Sequence, residues 1–167
     1  MATRKATHRD RGVDEDRQRL FDLLRRFDTA MVAIRDGDRG LHARPMPIAH
    51  VEPGGSLYFA TDVSAVRIDE ISAHPEVVVT MQSARSFASL TGRAHIVCSH
   101  GLIQQLWDES WRPWFGGRDD PRIVLLGVEP YLAEYWDSAG ADGISFLFDA
   151  VRAAVTGESV RPSDGPH

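Results

Sequence analysis

With 167 residues, 43% of them hydrophobic and 26% charged, the chain has the length and composition of one ordinary globular domain. Its 19 basic and 24 acidic side chains leave a net charge of −5, which argues against nucleic acid as a partner because phosphate contacts require a basic surface. No apolar stretch reaches the roughly 18 residues of a membrane-spanning helix, so a membrane is not an expected partner either.

The chain begins with a polar, basic segment, residues 1–13, that lacks the apolar side chains needed to offset the entropy of ordering. We expect it to be a disordered tail. A helix is predicted from Asp14 onward, because apolar residues repeat there at the spacing of one buried helical face. These residues are Leu20, Leu23, Leu24 and Phe27.

Three strands joined by tight turns come next. Thr29 to Arg35 is short and apolar, an Asp-Gly turn signal follows at 36–37, and Leu41 to Val51 is expected to pair back on the first strand. The Pro-Gly-Gly turn at 53–55 leads to a third strand over 56–61, whose aromatic side chains suit a half-buried sheet. This order predicts an antiparallel meander.

Further strands alternate with short helices. Ser64 stands where a helix N-cap would, and the helix it opens is expected to end at His74-Pro75. Strands are predicted over 77–82, 87–98 and 123–128, the last continuing toward Trp136, with a helix over 99–111. Residues 144–155 fit either a helix or a final strand.

The last segment, 157–167, is rich in Pro, Ser, Gly and Asp and is expected to be a second disordered tail. A single domain then spans residues 14–156. Six strands at meander spacing with few, separated helices predict a mainly β fold, a six-stranded antiparallel barrel with flanking helices, rather than a doubly wound sheet.

One group of side chains suits a phosphate. Thr61, Ser64 and Arg67 lie where a strand ends and a helix begins, and Ser64 and Arg67 would be neighbours on the first turn of that helix. Unpaired N–H groups and the helix dipole favour an anion there, and a guanidinium can donate two parallel hydrogen bonds to phosphate. The alternative is that Ser64 only caps the helix and Arg67 is a solvated charge.

A second group, Arg44-Pro45-Met46-Pro47, lies on the second strand. Because proline cannot donate to a sheet ladder, we expect strand pairing to be interrupted here, which leaves backbone groups free for a ligand. Arg44 adds a donor for the oxygens of an electron-rich heterocycle. The alternative is an edge strand that proline protects against aggregation.

Three of the four tryptophans form a third group. Trp107 and Trp111 are four residues apart on a predicted helix and are expected in the core. Trp114 and Phe115 follow Pro113 in a glycine-rich loop, where large aromatic side chains either close the edge of a core or contact a ligand or partner.

Side chains that could carry chemistry by themselves are few. Cys98 is the single cysteine and falls on the apolar face of its strand, so we expect an inert, packed thiol in a reducing, cytoplasmic setting. His42, His50, His95 and His100 match no metal-ligand spacing, and no metal site is predicted. No catalytic acid, base or nucleophile stands out.

Taken together, these groups resemble the FMN-binding split-barrel superfamily related to pyridoxamine 5'-phosphate oxidase, in its short bacterial general stress protein branch. The resemblance extends from about residue 14 to residue 136 and rests on the order and spacing of its motifs. They are Arg44-Pro45-Met46, Phe59-Ala60-Thr61 with Ser64 and Arg67, Thr91-Gly92-Arg93-Ala94, Leu106-Trp107, Trp114-Phe115, Asp119-Asp120-Pro121, Leu125-Leu126 and Ala133-Glu134-Tyr135-Trp136.

The resemblance implies a homodimer of six-stranded split barrels with FMN bound at the interface. By this similarity Thr61, Ser64 and Arg67 would hold the FMN phosphate, and the strand Arg44-Pro45-Met46 would line the isoalloxazine ring. Trp114 would add a contact, from its own chain or from the partner chain. The flavin would supply redox chemistry that the side chains lack.

Two functions are compatible with this resemblance. One is an FMN-dependent oxidoreductase that exchanges electrons with a small-molecule donor or acceptor. The other is a non-catalytic stress protein that stores or senses flavin. A third possibility is another ligand, a deazaflavin or a heme held by His42 or His95.

Departures from the family pattern limit what the resemblance implies. Arg67 stands where the family often has Lys, which preserves the phosphate role, and Gly116 stands where it often has Pro. The chain ends without the C-terminal extension whose Arg and His true pyridoxamine phosphate oxidases use for substrate, so the resemblance does not imply vitamin B6 oxidase activity.

Overall fold

The computed structural model describes residues 8–35, 37, 40–66, 68–136 and 144–147. The strands in this part of the chain are β1 (Thr29–Arg35), β2 (Leu41–Val51), β3 (Leu57–Asp62), β4 (Glu76–Gln82), β5 (Phe87–Val97), β6 (Ile123–Trp136) and β7 (Ile144–Leu147). The helices are α1 (His8–Leu24), α2 (Ile68–Ala73) and α3 (His100–Leu106), and a single 3-10 turn covers Glu109–Trp111. None of these helices is long and apolar enough to cross a bilayer.

The strands form one antiparallel sheet in the order β3-β2-β1-β4-β5-β6-β7, and pairing between β3 and β6 closes the first six into a barrel. Strand β6 pairs with β5 along one edge and with two strands along the other, since residues 123–128 pair with β3 and residues 132–135 pair with β7. The predicted six-stranded antiparallel barrel with flanking helices is confirmed. Strand β7 extends the sheet beyond the closed ring.

Alternate residues of the strands fill the barrel. Every second residue of β4 is buried, because successive side chains of a strand point to opposite faces of the sheet. Phe59, Val79 and Leu90 are fully buried in this interior. Helix α1 packs on the same core through Leu20 and Leu24, so the helical periodicity predicted its buried face correctly.

A second apolar cluster lies outside the barrel, where α3 and the 3-10 turn pack on β3 and β6. Its buried members are Ala60, Ile103, Trp111, Phe115, Ile123 and Leu125. The rings of Trp107 and Trp111 meet edge to face with centroids 5.6 Å apart. They do not share a helix as predicted, because α3 ends at Leu106 and the chain turns before Trp111.

Besides α3, the bounds of α1, α2 and β5 also differ from the predicted ones. Helix α1 begins at His8 rather than Asp14. Helix α2 begins at Ile68, so Ser64 is not its N-cap. Strand β5 ends at Val97, and the side chain of Cys98 is exposed; the expected packed thiol is wrong because the strand alternation stops before it.

Several predictions concern residues outside the described ranges. Arg67, residues 1–7 of the first expected tail and the whole of 157–167 lie there. The segment 144–155, compatible with a helix or a strand, begins as the strand β7 over 144–147. Its remainder, 148–155, is again outside the described residues.

Candidate functional site

A cleft opens in the barrel wall where β2 and β3 part. The two strands pair only near their connecting turn, over Ile48–Val51 and Leu57–Phe59. Between the separated parts lies a cavity of about 340 Å³, within the range of about 300 to 1,000 Å³ usual for small-molecule sites. It is lined by Ile34, Arg44, Pro45, Met46, Pro47, Ala60, Thr61, Asp62, Ala65, Trp111, Trp114 and Phe115.

The two prolines of β2 determine what its edge offers to this cleft. Pairing with β1 continues through Pro45, opposite Met31, and Pro47, opposite Thr29, so the expected interruption is wrong on the β1 side. The N–H of Ile48 donates to the Asp28 carbonyl on the β1 side at 2.9 Å. Since backbone groups alternate between the two sides of a strand, Pro45 and Pro47 direct their backbone toward the cleft.

Proline contributes a carbonyl but no N–H. The edge of β2 next to the cleft therefore offers hydrogen-bond acceptors from Pro45 and Pro47 without donors between them. The free backbone groups on this edge are thus carbonyl oxygens, which suit a ligand that presents N–H or O–H groups.

The cleft brings together side chains that are distant in the sequence. Arg44, Pro45, Met46, Thr61 and Trp114, all predicted to contact a cofactor, line it. Trp114 does so within its own chain, with 61% of its surface exposed.

Ser64 is not among the lining residues, although Asp62 and Ala65 are. It lies in a tight turn after β3, closed by a 2.9 Å hydrogen bond from the Ala65 N–H to the Asp62 carbonyl. The N–H and the hydroxyl of Ser64 both donate to Oδ1 of Asp62, at 2.8 and 2.6 Å. The predicted position on the first turn of a helix is wrong because these local bonds fold the residues before α2 into a turn.

The same bonds determine the charge of Asp62. The hydroxyl and the N–H of Ser64 hold the pKa of Asp62 below its usual value, and the guanidinium of Arg122 lowers it further. Asp62 is therefore an anion at neutral pH. On the opposite wall, Nη1 of Arg44 donates to the Ala65 carbonyl at 3.0 Å, so the cleft carries one charge of each sign.

Arg122 and Asp120 hold the loop that carries Trp114. The Nη2 atom of Arg122 lies 2.7 Å from Oδ2 of Asp120 and donates to the Trp114 carbonyl at 3.5 Å. Oδ2 of Asp120 also accepts the N–H of Gly116 at 2.8 Å. These bonds hold the pKa of Asp120 far below its usual value, and the bond from the Arg122 side chain contributes most.

The described lining of the cleft includes no His, Cys, Lys or Tyr. Neither His42 nor His95, the two candidates for a heme ligand, belongs to it. His95 instead lies against Gly127, where a Cβ atom would be 2.6 Å from the imidazole ring. Within the described ranges no group of three or more His, Cys, Asp or Glu side chains could hold a metal ion.

Comparison with known proteins decides the family. The family model described as pyridoxamine 5'-phosphate oxidase like matches residues 15–161, most of the chain. The chain belongs to this family.

Individual proteins that are similar to this chain agree with this assignment. General stress protein 26 of Bacillus subtilis (strain 168) is 26% identical over 119 residues, which are 68% of this chain and 83% of that protein. The crystal structure of the general stress FMN/FAD binding protein from Xanthomonas citri is 26% identical with a TM-score of 0.64, covering 80% of this chain and 98% of that chain.

A third relative, from Clostridium acetobutylicum, is related to general stress protein 26. It matches with a TM-score of 0.69 and 14% identity over 83% of this chain and 98% of that chain. At that identity the likeness concerns the fold alone. The family resemblance that the sequence motifs indicated is confirmed.

Sequence reasoning overlooked part of this family member's cleft. Asp62 and Ala65 were within the predicted phosphate group but had no role, and Trp111 was assigned to the core alone. Arg122 follows the Asp119-Asp120-Pro121 motif, and the opposite charges of Asp120 and Arg122, two residues apart, were the available signal. That signal is weak, because most charged surface side chains remain solvated.

Proposed function

We propose that this protein binds FMN in the cleft between β2 and β3 and serves as an FMN-dependent oxidoreductase for a small molecule. The observation that carries the proposal is the convergence of Arg44, Met46, Thr61 and Trp114, from three separate segments, on one cavity. The relative from Xanthomonas citri, described as an FMN/FAD binding protein, supports a flavin as the ligand.

The lining suits a planar heterocycle with a polar edge. Met46, Ala60, Trp111 and Phe115 give apolar and aromatic walls, against which a flat ring can stack. The β2 edge offers acceptors, which match the N–H group of a flavin ring. A bound flavin supplies electron-transfer chemistry, while the chain supplies placement, electrostatics and exclusion of water.

We assign the phosphate of FMN to Thr61, Ser64 and Arg67, at the end of β3. Thr61 lines the cleft, and Ser64 lies in the turn next to it. Hydroxyl and guanidinium groups are suitable donors to a phosphate, and charge-assisted bonds of this kind are the strong ones. Arg44 and Met46 would then contact the ring.

We further propose a homodimer with the FMN site at the interface. Six uncharged residues of β1, β2 and β4 face outward in two rows, which we call the outer face: Ala43, Ala33 and Val78, then Pro45, Met31 and Thr80. Met31 and Val78 are 41% and 38% exposed. Because Pro45 belongs to both the outer face and the cleft, a second chain on this face would border the bound cofactor.

A non-catalytic role in flavin storage or sensing is the second candidate. The observation that favours it is the scarcity of acids and bases in the described lining, where Arg44 and Asp62 are the only ionisable side chains. Both are already engaged in hydrogen bonds with the turn after β3. General acid or base catalysis requires a group that can exchange a proton with the substrate.

The test begins with the absorption spectrum of the purified protein, recorded after equilibration with FMN and removal of the excess. We expect about one flavin per chain to be retained. Absence of retained flavin would contradict FMN binding. Steady-state turnover with nicotinamide donors and small acceptors then separates the two candidates, because a storage or sensing protein would bind FMN without turnover.

A further inference from the structure

Asp62 occupies the two donors of Ser64, one of the residues that we assign to the phosphate at the end of β3. Its Oδ1 atom accepts both the hydroxyl of Ser64, at 2.6 Å, and the N–H of Ser64, at 2.8 Å. Asp62 also lines the cleft itself. A carboxylate thus holds the position of an oxyanion ligand on Ser64.

The negative charge of Asp62 is only partly neutralised. Its other oxygen, Oδ2, lies 3.4 Å from Nη1 of Arg122. Arg122 makes its shorter contact, 2.7 Å, with Asp120, so one guanidinium is shared between two carboxylates. A dianion placed near Ser64 would therefore experience repulsion from Asp62, which salt screens only in part at this half-buried position.

We propose that Asp62 is a specificity-determining residue that competes with the phosphate of FMN for the donors of Ser64. This inference rests on the proposed function, since it concerns the phosphate end of the same cleft. Binding of FMN requires Ser64 to exchange the carboxylate for the phosphate. Riboflavin, which lacks the phosphate, makes no such demand. Asp62 thereby reduces the preference of the cleft for phosphorylated over unphosphorylated flavin.

The substitution Asp62→Asn removes the negative charge of the side chain and keeps its shape. The amide oxygen still accepts from Ser64 and preserves the turn, but the negative charge is gone. We expect FMN affinity to rise at least about fivefold, because a like charge next to the phosphate is removed. Riboflavin affinity should stay within about twofold, and the gain for FMN should shrink as ionic strength increases.

The experiment titrates the full chain and its variants with FMN and with riboflavin, following flavin fluorescence. Asp119→Asn is the matched control, because Asp119 is an exposed carboxylate that accepts from Gln104 and does not line the cleft. It should leave the ratio of the two affinities unchanged. A general effect of net charge would move this control as much as Asp62→Asn.

Ser64→Ala provides the second variant. We expect it to reduce FMN affinity about fivefold more in the Asp62→Asn background than in the unaltered chain, because Ser64 is then free to donate to phosphate. Such non-additivity is the sign of two groups that share one partner. The comparison of Ser64→Ala alone with FMN and riboflavin also serves if Asp62→Asn fails to fold.

The outcomes separate the inference from the proposed function. Retention of FMN by the unaltered chain, with an unchanged or lower FMN-to-riboflavin preference in Asp62→Asn, would overturn the role of Asp62 and leave the proposed function intact. Equal losses of both flavins would show that Asp62 only shapes the turn, which also overturns it. Failure of every variant to bind either flavin would overturn both proposals.

Discussion

Gly92 lies where β5 passes β6 at a β-bulge. The register of the two strands shifts between Thr91 and Gly92, and Gly92 is opposite Pro130. A Cβ atom on Gly92 would lie 2.5 Å from the carbonyl oxygen of Glu129 and 2.8 Å from Cα of Pro130. Both are backbone atoms, which cannot move aside as the end of a side chain can. The bulge therefore requires glycine for close approach.

We expect Gly92→Ala to lower the free energy of unfolding by about 1 to 3 kcal/mol, the usual cost of overpacking. For a chain of this length that corresponds to a fall in Tm of about 2 to 12 °C. Gly54→Ala is the control, because no atom lies within 4 Å of its Cβ position. Thermal unfolding followed by circular dichroism measures both, and equal Tm values would contradict the role of the bulge.

The sequence predicted residues of the site more reliably when their position depended on a long strand. Arg44 and Met46 follow from the pattern of β2, whose bounds agree with the prediction. Ser64 and Cys98 were placed wrongly because each lies at an element end, where a shift of one or a few residues changes the environment entirely. Ser64 and Asp62 both have a low helix preference, and their hydrogen bonds to each other compete with the start of a helix. Helical spacing in the sequence does not reveal this competition.

At the scale of elements, the segment between α3 and β6 combines a buried and an exposed aromatic side chain. Phe115 is buried in the second apolar cluster, which packs outside the barrel. Trp114 is 61% exposed and lines the cleft. The bonds from Asp120 and Arg122 hold this segment in place. Trp114 is thus fixed by its backbone while its ring remains available to a ligand.

We expect Trp114→Ala to weaken FMN binding about tenfold, since stacking on an aromatic side chain contributes roughly 1 kcal/mol or more. Its Tm should change little, because an exposed side chain contributes little to the core. Trp136→Ala is the matched control, as Trp136 is also partly exposed, at 39%, and does not line the cleft. Equal FMN affinities for the two variants, measured by titration, would contradict the assignment of Trp114.

At the scale of the whole molecule, the sequence predicts the strands of the barrel but not how the barrel closes. Local periodicity and turn signals identified the strands and indicated a meander, because those signals are contained in short stretches of sequence. Closure by β3 and β6 joins Leu57–Asp62 to residues 123–128, and no local pattern specifies which distant strands pair. The family resemblance provided that information. The cleft follows from closure, since it lies where β2 separates from β3.

The homodimer that we propose forms through the outer face. Val78 lies on its β4 side, opposite Ala33 of β1. We expect Val78→Glu to dissociate the proposed homodimer, because a buried, unpaired carboxylate is strongly unfavourable in an interface. Gln105→Glu on α3 adds the same charge at an exposed position and should leave the dimer intact. Sedimentation velocity distinguishes the two variants.

Removal of FMN tests the same homodimer, because it shows whether the ligand stabilises the dimer. A ligand bound by both chains stabilises the dimer by mass action, so the apo protein should dissociate at higher protein concentration than the FMN-bound protein. Val78→Glu should also retain less FMN, because in the proposed dimer the second chain borders the bound cofactor next to Pro45. If Val78→Glu and the unaltered chain sediment alike, the outer face is not the interface. If FMN leaves the sedimentation of the unaltered chain unchanged at low concentration, FMN does not stabilise a dimer.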